Sequence, residues 1–152
     1  MGATMRSWGI AAALLLGLPI SAQAQSVEQV FQNFGLIGVW ASACDLPADV
    51  ASGNSRAIYA VSSSDGIMLT YDYGTKYAPG VFTIVSAQQV ARDRVTYVEE
   101  RVRNKARVNI TLHKVKDRIT VVSSVAQDGK VFVENGKIVA TGQPAPQQVR
   151  CP

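Results

Sequence analysis

The sequence predicts an all-β protein, an up-and-down antiparallel meander closed into a calycin-like barrel behind one short N-terminal helix. Three observations carry this. Short β-branched and aromatic runs recur between residues 57 and 141, each ended by turn residues. Asp65-Gly66, Asp128-Gly129 and Asn135-Gly136 fall between such runs. These pairs favour hairpins, because a type I′ turn needs positive φ at both central positions. Nothing after Gly35 keeps a helical period, and no connection is long enough for a parallel crossover. Eight or nine short strands in sequence order leave two open edges, and closure removes both. A two-sheet β-sandwich is the alternative.

Residues 1–24 read as a secretory signal peptide. A positive head ending at Arg6 precedes an apolar stretch from Trp8 to Ile20, and Ala22-Gln23-Ala24 is a small-x-small cleavage site. The apolar stretch is short for a membrane span and no second one follows, so an integral membrane protein is not expected. The expected mature chain, Gln25 to Pro152, is a single domain, periplasmic or secreted. Its formal charge drops from +4 to +3 with the loss of Arg6. That is too mild a basic bias to suggest a nucleic-acid partner.

Ser26 to Phe34 reads as a helix, with Ser26 as cap, Gln29 three residues on, and Val27, Val30, Phe31 and Phe34 at helical spacing. Gly35 stops it. Leu36–Ser42 reads as the first strand and Cys44–Arg56 as a loop. The following strands are expected over Ala57–Ser62, Ile67–Tyr73, Val81–Ala87, Arg94–Arg103, Arg107–Val115, Arg118–Val125, Lys130–Glu134 and Lys137–Thr141. Residues 142–152 hold Pro144, Pro146 and Pro152 and read as an extended tail over the fold, not as a central strand.

Cys44 and Cys151 are the only cysteines. In an exported chain the simplest reading is a disulfide that staples this tail to the start of the fold. Without C-x-x-C spacing, a redox pair is disfavoured. Two cysteines and one distant histidine do not make a metal-ligand set, so no metal or other cofactor is expected.

Gly38-Val39-Trp40, on the first strand just after a short helix, resembles the lipocalin and wider calycin pattern. The resemblance implies a barrel whose Trp40 plugs one end against a basic residue near the C-terminal strand. Arg150 is the candidate for that partner, as a guanidinium over an indole face. Trp40-Ala41-x-x-Cys44-Asp45 together with Arg150-Cys151 also resembles a group of small, uncharacterised exported bacterial proteins.

The residues argue for binding rather than catalysis. G-x-S-x-G, H-E-x-x-H and a Gly-rich phosphate loop are all missing from the sequence. The single histidine, His113, alternates with Val108, Ile110 and Leu112, which places it outward with Asn109 and Thr111. Three groups of residues remain as candidates. Glu100 shares a strand face with Val98 and Val102; with that face inward it is a lumen carboxylate, and otherwise a rim or bulge residue. Tyr71, Tyr73, Lys76 and Tyr77 form a Tyr-rich segment, read either as a recognition loop or as core and end cover. Arg101, Arg103, Lys105 and Arg107 form a hairpin tip inside a stretch, 92–118, with nine basic and four acidic side chains. The tip suits an anionic envelope surface or an acidic protein, and is otherwise a solvated face that protects strand edges. The expected function is an exported binding module for a small apolar or amphipathic ligand. The alternative is a periplasmic interaction protein, such as a protease or lysozyme inhibitor.

Overall fold

The computed structural model describes residues 25–63 and 66–152. The leader and Asp65 of the first hairpin pair lie outside the described residues. Helix α1 (Val27–Phe34) starts at a reciprocal capping box. The Ser26 hydroxyl accepts the Gln29 N–H at 3.2 Å, and the Gln29 side-chain oxygen accepts the Ser26 N–H at 3.0 Å. The helix ends at Gly35, and its Val30, Phe31 and Phe34 face is buried.

Strands β1 (Gly38–Ala41), β2 (Arg56–Ser62), β3 (Gly66–Asp72), β4 (Gly80–Ala91), β5 (Arg94–Arg101), β6 (Arg107–Val115) and β7 (Arg118–Ala126) pair antiparallel in sequence order. β8 (Val131–Glu134) and β9 (Lys137–Ile138) continue this order as a hairpin. β10 (Gln147–Arg150) pairs with both β1 and β7. The result is one closed eight-stranded antiparallel barrel made of β1–β7 and β10, not two packed sheets. On its edge away from β6, β7 serves two partners: residues 118–120 pair with β10, and Ser124 and Val125 pair with β8.

Several expectations need correction. The Pro-rich segment is not only a tail laid over the fold, since Gln147–Arg150 is the closing strand. Pro144, Pro146 and Pro152 flank these four residues, so every N–H needed for the ladder is present. β4 runs to Ala91 because two register shifts, at Ile84/Ser86 and Gln89/Ala91, absorb its extra length. β9 ends at Ile138, where the chain turns and the Gly142 N–H returns to the Ile138 carbonyl. Asn135 (φ 50°) and Gly136 (φ 73°) form the expected type I′ turn between β8 and β9. At Asp128-Gly129 only the glycine takes positive φ, so that connection is a longer loop.

The meander places the β2–β3, β4–β5 and β6–β7 turns at one end of the barrel, together with α1. The β1–β2, β3–β4 and β5–β6 connections lie at the other end. The α1 end is closed by packing. Phe31 meets the Tyr59 and Tyr97 rings at 5.5 and 5.4 Å, and one buried cluster unites it with Leu36, Trp40, Leu69, Val95 and Leu112. Trp40 is fully buried, and its indole N–H donates to the Leu36 carbonyl at 2.8 Å. Cys44 and Cys151 are joined in a disulfide with Cα atoms 5.4 Å apart. No helix among the described residues is long and apolar enough to cross a membrane.

Arg150 is opposite Trp40 in the β1–β10 ladder, but its guanidinium is not placed as the resemblance implied. It lies along Gly38 and donates to the Ile37 carbonyl at 2.9 Å. Gly38 has φ 133°, and a Cβ there would come within 3.4 Å of the Arg150 Nε. The cation over an aromatic face at this end is Lys114, 5.5 Å from the centre of the Phe34 ring. Its ammonium also donates to the Phe34 carbonyl at 2.6 Å, at the C-terminal end of α1 where positive charge is favoured. Burial, then the nearby charge of Arg150, lowers the Lys114 pKa.

Candidate functional site

β5 supplies Glu99 and Arg101 to the open end. Strand alternation turns Val95, Tyr97 and Glu99 inward, and all three are buried. The lumen carboxylate is therefore Glu99, not Glu100. The β5–β6 register gives the reason, because Val95 pairs with Leu112, Tyr97 with Ile110 and Glu99 with Val108. Directly paired residues share a face. The inward face of β6, read correctly from Val108, Ile110 and Leu112, therefore dictates Glu99. Val98 lies on the opposite, outward face with Glu100, and Val102, past the strand end, is exposed. The hairpin register was the signal in the sequence that could have found Glu99.

Glu99 is only 5% exposed. Its Oε2 accepts a hydrogen bond from the Tyr71 hydroxyl at 3.2 Å. Burial pushes its pKa up to about 7, against the opposing effects of the Tyr71 hydrogen bond and the Arg101 charge. Below it the Tyr59 and Tyr97 hydroxyls share a hydrogen bond of 2.9 Å. Burial raises the pKa values of Tyr59, Tyr71 and Tyr97, so these phenols stay protonated.

The Tyr-rich segment divides. Tyr71 belongs to the interior: its ring stacks on Tyr73 at 6.2 Å and meets the Phe82 ring edge-on at 5.4 Å. Tyr73 lines the mouth. Lys76 and Tyr77 are exposed, Tyr77 by 58%, and lie outside the residues that line the mouth.

The basic tip divides too. Glu100 faces outward and pairs with Arg107 at 2.8 Å and Lys105 at 3.3 Å. The hydrogen bond from Arg107 heads the interactions that hold its carboxyl below the usual range. Two of the four tip cations are thus matched by an acid that stands just outside the tip. Arg103 is exposed. Arg101 turns to the mouth and lies 4.9 Å above the Phe82 ring. His113 faces outward, as expected, and meets Asp93 at 2.9 Å.

The mouth holds a cavity of about 510 Å³. Its walls include Phe82, Val108, Ile110, Val121, Phe132 and Val133, with Glu99 and Arg101 as its charged groups beside Arg107. The β8–β9 hairpin supplies Phe132 and Val133, so the extra hairpin outside the barrel ladder forms one wall. A smaller cavity of about 170 Å³ reaches the same phenols past Pro146 and Gln148. Among the described residues, no group of three or more His, Cys, Asp or Glu could hold a metal ion. Comparison with protein-family models, with curated proteins and with solved structures finds no match.

Proposed function

We propose that this protein is an exported binding module that holds a small amphipathic ligand in the open end of a lipocalin-like barrel. The observation that carries the reading is the division of the interior. The α1 half is filled by aromatic and aliphatic side chains, and the other half opens into a cavity of about 510 Å³. That volume lies within the roughly 300–1,000 Å³ range of small-molecule sites, and apolar walls with a few polar groups are their usual composition. The Cys44–Cys151 bond fits an oxidising compartment, in keeping with a leader at 1–24 and a periplasmic or secreted location.

A second reading, an interaction protein such as a protease or lysozyme inhibitor, draws on the exposed Tyr77 and Lys76 loop and on Arg103 at the tip. A contact of the tip with an anionic envelope surface belongs to the same reading. Native mass spectrometry of protein purified from its own compartment separates the two. A retained small mass, lost on denaturation, is expected. A retained polypeptide with no small mass would overturn the carrier reading in favour of the second.

A further inference from the structure

The chemistry of the mouth narrows the class of ligand, given that the mouth is a ligand site. Glu99 and Arg101 are two residues apart on one inward face of β5. Neither takes part in an ion pair among the described residues. Glu99 Oε2 is engaged by Tyr71, which leaves Oε1 as the carboxyl atom without a donor among the described residues. Arg101 lies on Phe82 with no side-chain hydrogen bond among the described residues, which leaves its donors for a ligand.

We propose that the mouth takes up an organic carboxylate together with one proton. The ligand carboxylate pairs with the Arg101 guanidinium and accepts a hydrogen bond from a protonated Glu99 carboxyl. Its apolar body lies against Val108, Ile110, Val121 and Phe132. The proton comes from solvent, sits on Oε1, and leaves Oε2 free to keep accepting from Tyr71.

The surroundings favour an anion over a cation. Arg101, Arg103, Lys105 and Arg107 stand at this end with Glu100 as the acid that pairs with two of them, and Lys130 lies over Phe132 at 5.3 Å. An ammonium ligand would meet that positive rim, whereas an anion is drawn to it. An ionised Glu99 would repel the anion at close range, so the proton is part of the site. Burial already pushes the Glu99 pKa up to about 7, which makes protonation available near neutrality. The other groups around Glu99 carry no competing charge. Tyr71 and Tyr73 come from β3 and its following loop, Phe82 from β4, Val108 and Ile110 from β6, Val121 and Ser124 from β7, and Tyr59 and Tyr97 lie below. Arg107 also lines the cavity, but its guanidinium is engaged by Glu100.

The test is isothermal titration calorimetry of the mature, oxidised chain with decanoate, decanol and decylamine, in buffers that differ in ionisation enthalpy. Decanoate should bind at least about tenfold more tightly than decanol, and decylamine more weakly still. Decanoate affinity should fall as pH rises through about 7, with uptake approaching one proton at about pH 8 and little uptake at about pH 6. Glu99→Gln keeps a neutral donor, so it should keep decanoate binding and lose both the pH dependence and the proton uptake. Arg101→Gln should weaken decanoate by about tenfold or more and leave decanol within about twofold. Tighter decanoate binding at high pH, preference for decylamine, or loss of binding in Glu99→Gln would each overturn the proposal. If decanol binds and decanoate does not, the carboxylate assignment fails while the mouth remains a ligand site. If none of the three probes binds, both readings fail.

Discussion

At the closed end Lys114 lies over Phe34, and at the mouth Arg101 lies over Phe82. The two arrangements look alike, but their donors are used differently. The Lys114 ammonium is bonded to the Phe34 carbonyl, and beside it Arg150 is bonded to the Ile37 carbonyl. Those cations serve backbone groups that the helix terminus and its exit leave without a ladder partner. Arg101 has a ring beneath it, a buried carboxyl two residues away, and no side-chain hydrogen bond among the described residues. The interior follows the same division, with Trp40 fully buried at one end and a cavity of about 510 Å³ at the other. Satisfied polar groups mark the half of the barrel that holds the fold together. At the mouth, among the described residues, Arg101 and Glu99 form no ion pair.

The largest expected effect breaks the closed end. Trp40→Ala removes a fully buried indole together with its hydrogen bond to Leu36, and should cost roughly 3–5 kcal/mol in urea unfolding. A loss below about 1 kcal/mol would mean that the end is not held by its core. Next comes the disulfide. It closes a loop with a sequence separation of 107, and replacing both cysteines with serine should cost roughly 2–5 kcal/mol. Free-thiol titration of the denatured, unreduced chain should find none.

The third effect belongs to the mouth. The folded pKa of Glu99 is about 7, above its ordinary 4.5, so the folded chain holds its proton over a range where the unfolded chain has released it. The contribution of Glu99 to stability is fully present below about pH 4.5 and is lost as pH rises through about 7, on the order of 3 kcal/mol in all. Glu99→Gln should remove that slope in urea titrations and make the chain more stable than wild type at about pH 8. An unchanged slope would place Glu99 in contact with solvent. The smallest effect is at the tip, where Glu100→Gln breaks pairs with two exposed cations. Its thermal midpoint should match wild type within error, because exposed pairs contribute little.

The features that the sequence exposes are those that local chemistry decides. The Ser26/Gln29 box, Gly35, the 107–115 strand and the Asn135-Gly136 turn were legible because each depends on residues close in the chain. The disulfide was legible because the chain offers one pair of cysteines. The site was harder to read, since it depends on register. Val98 and Val102 make one face of the fifth strand look apolar, and only pairing with Ile110 and Val108 turns Tyr97 and Glu99 inward. Closure by Gln147–Arg150 was hidden for a related reason. Prolines on both sides suggest an unpaired tail, and nothing local reports that the four residues between them find two partners. The pairing within the tip was hidden too, because the acid that meets Lys105 and Arg107 is Glu100, one residue before the tip.

The most direct test of the mouth as the ligand site is amide chemical-shift mapping of the isotope-labelled mature chain with decanoate at about pH 6, where Glu99 carries its proton. Shifts should cluster on Tyr73, Phe82, Glu99, Arg101, Val121 and Phe132, with Leu36, Trp40 and the Lys114 end unmoved. Saturable shifts confined to the Tyr77 loop, to the outer face of β5–β7 around Thr96 and Thr111, or to Arg103 would contradict the account.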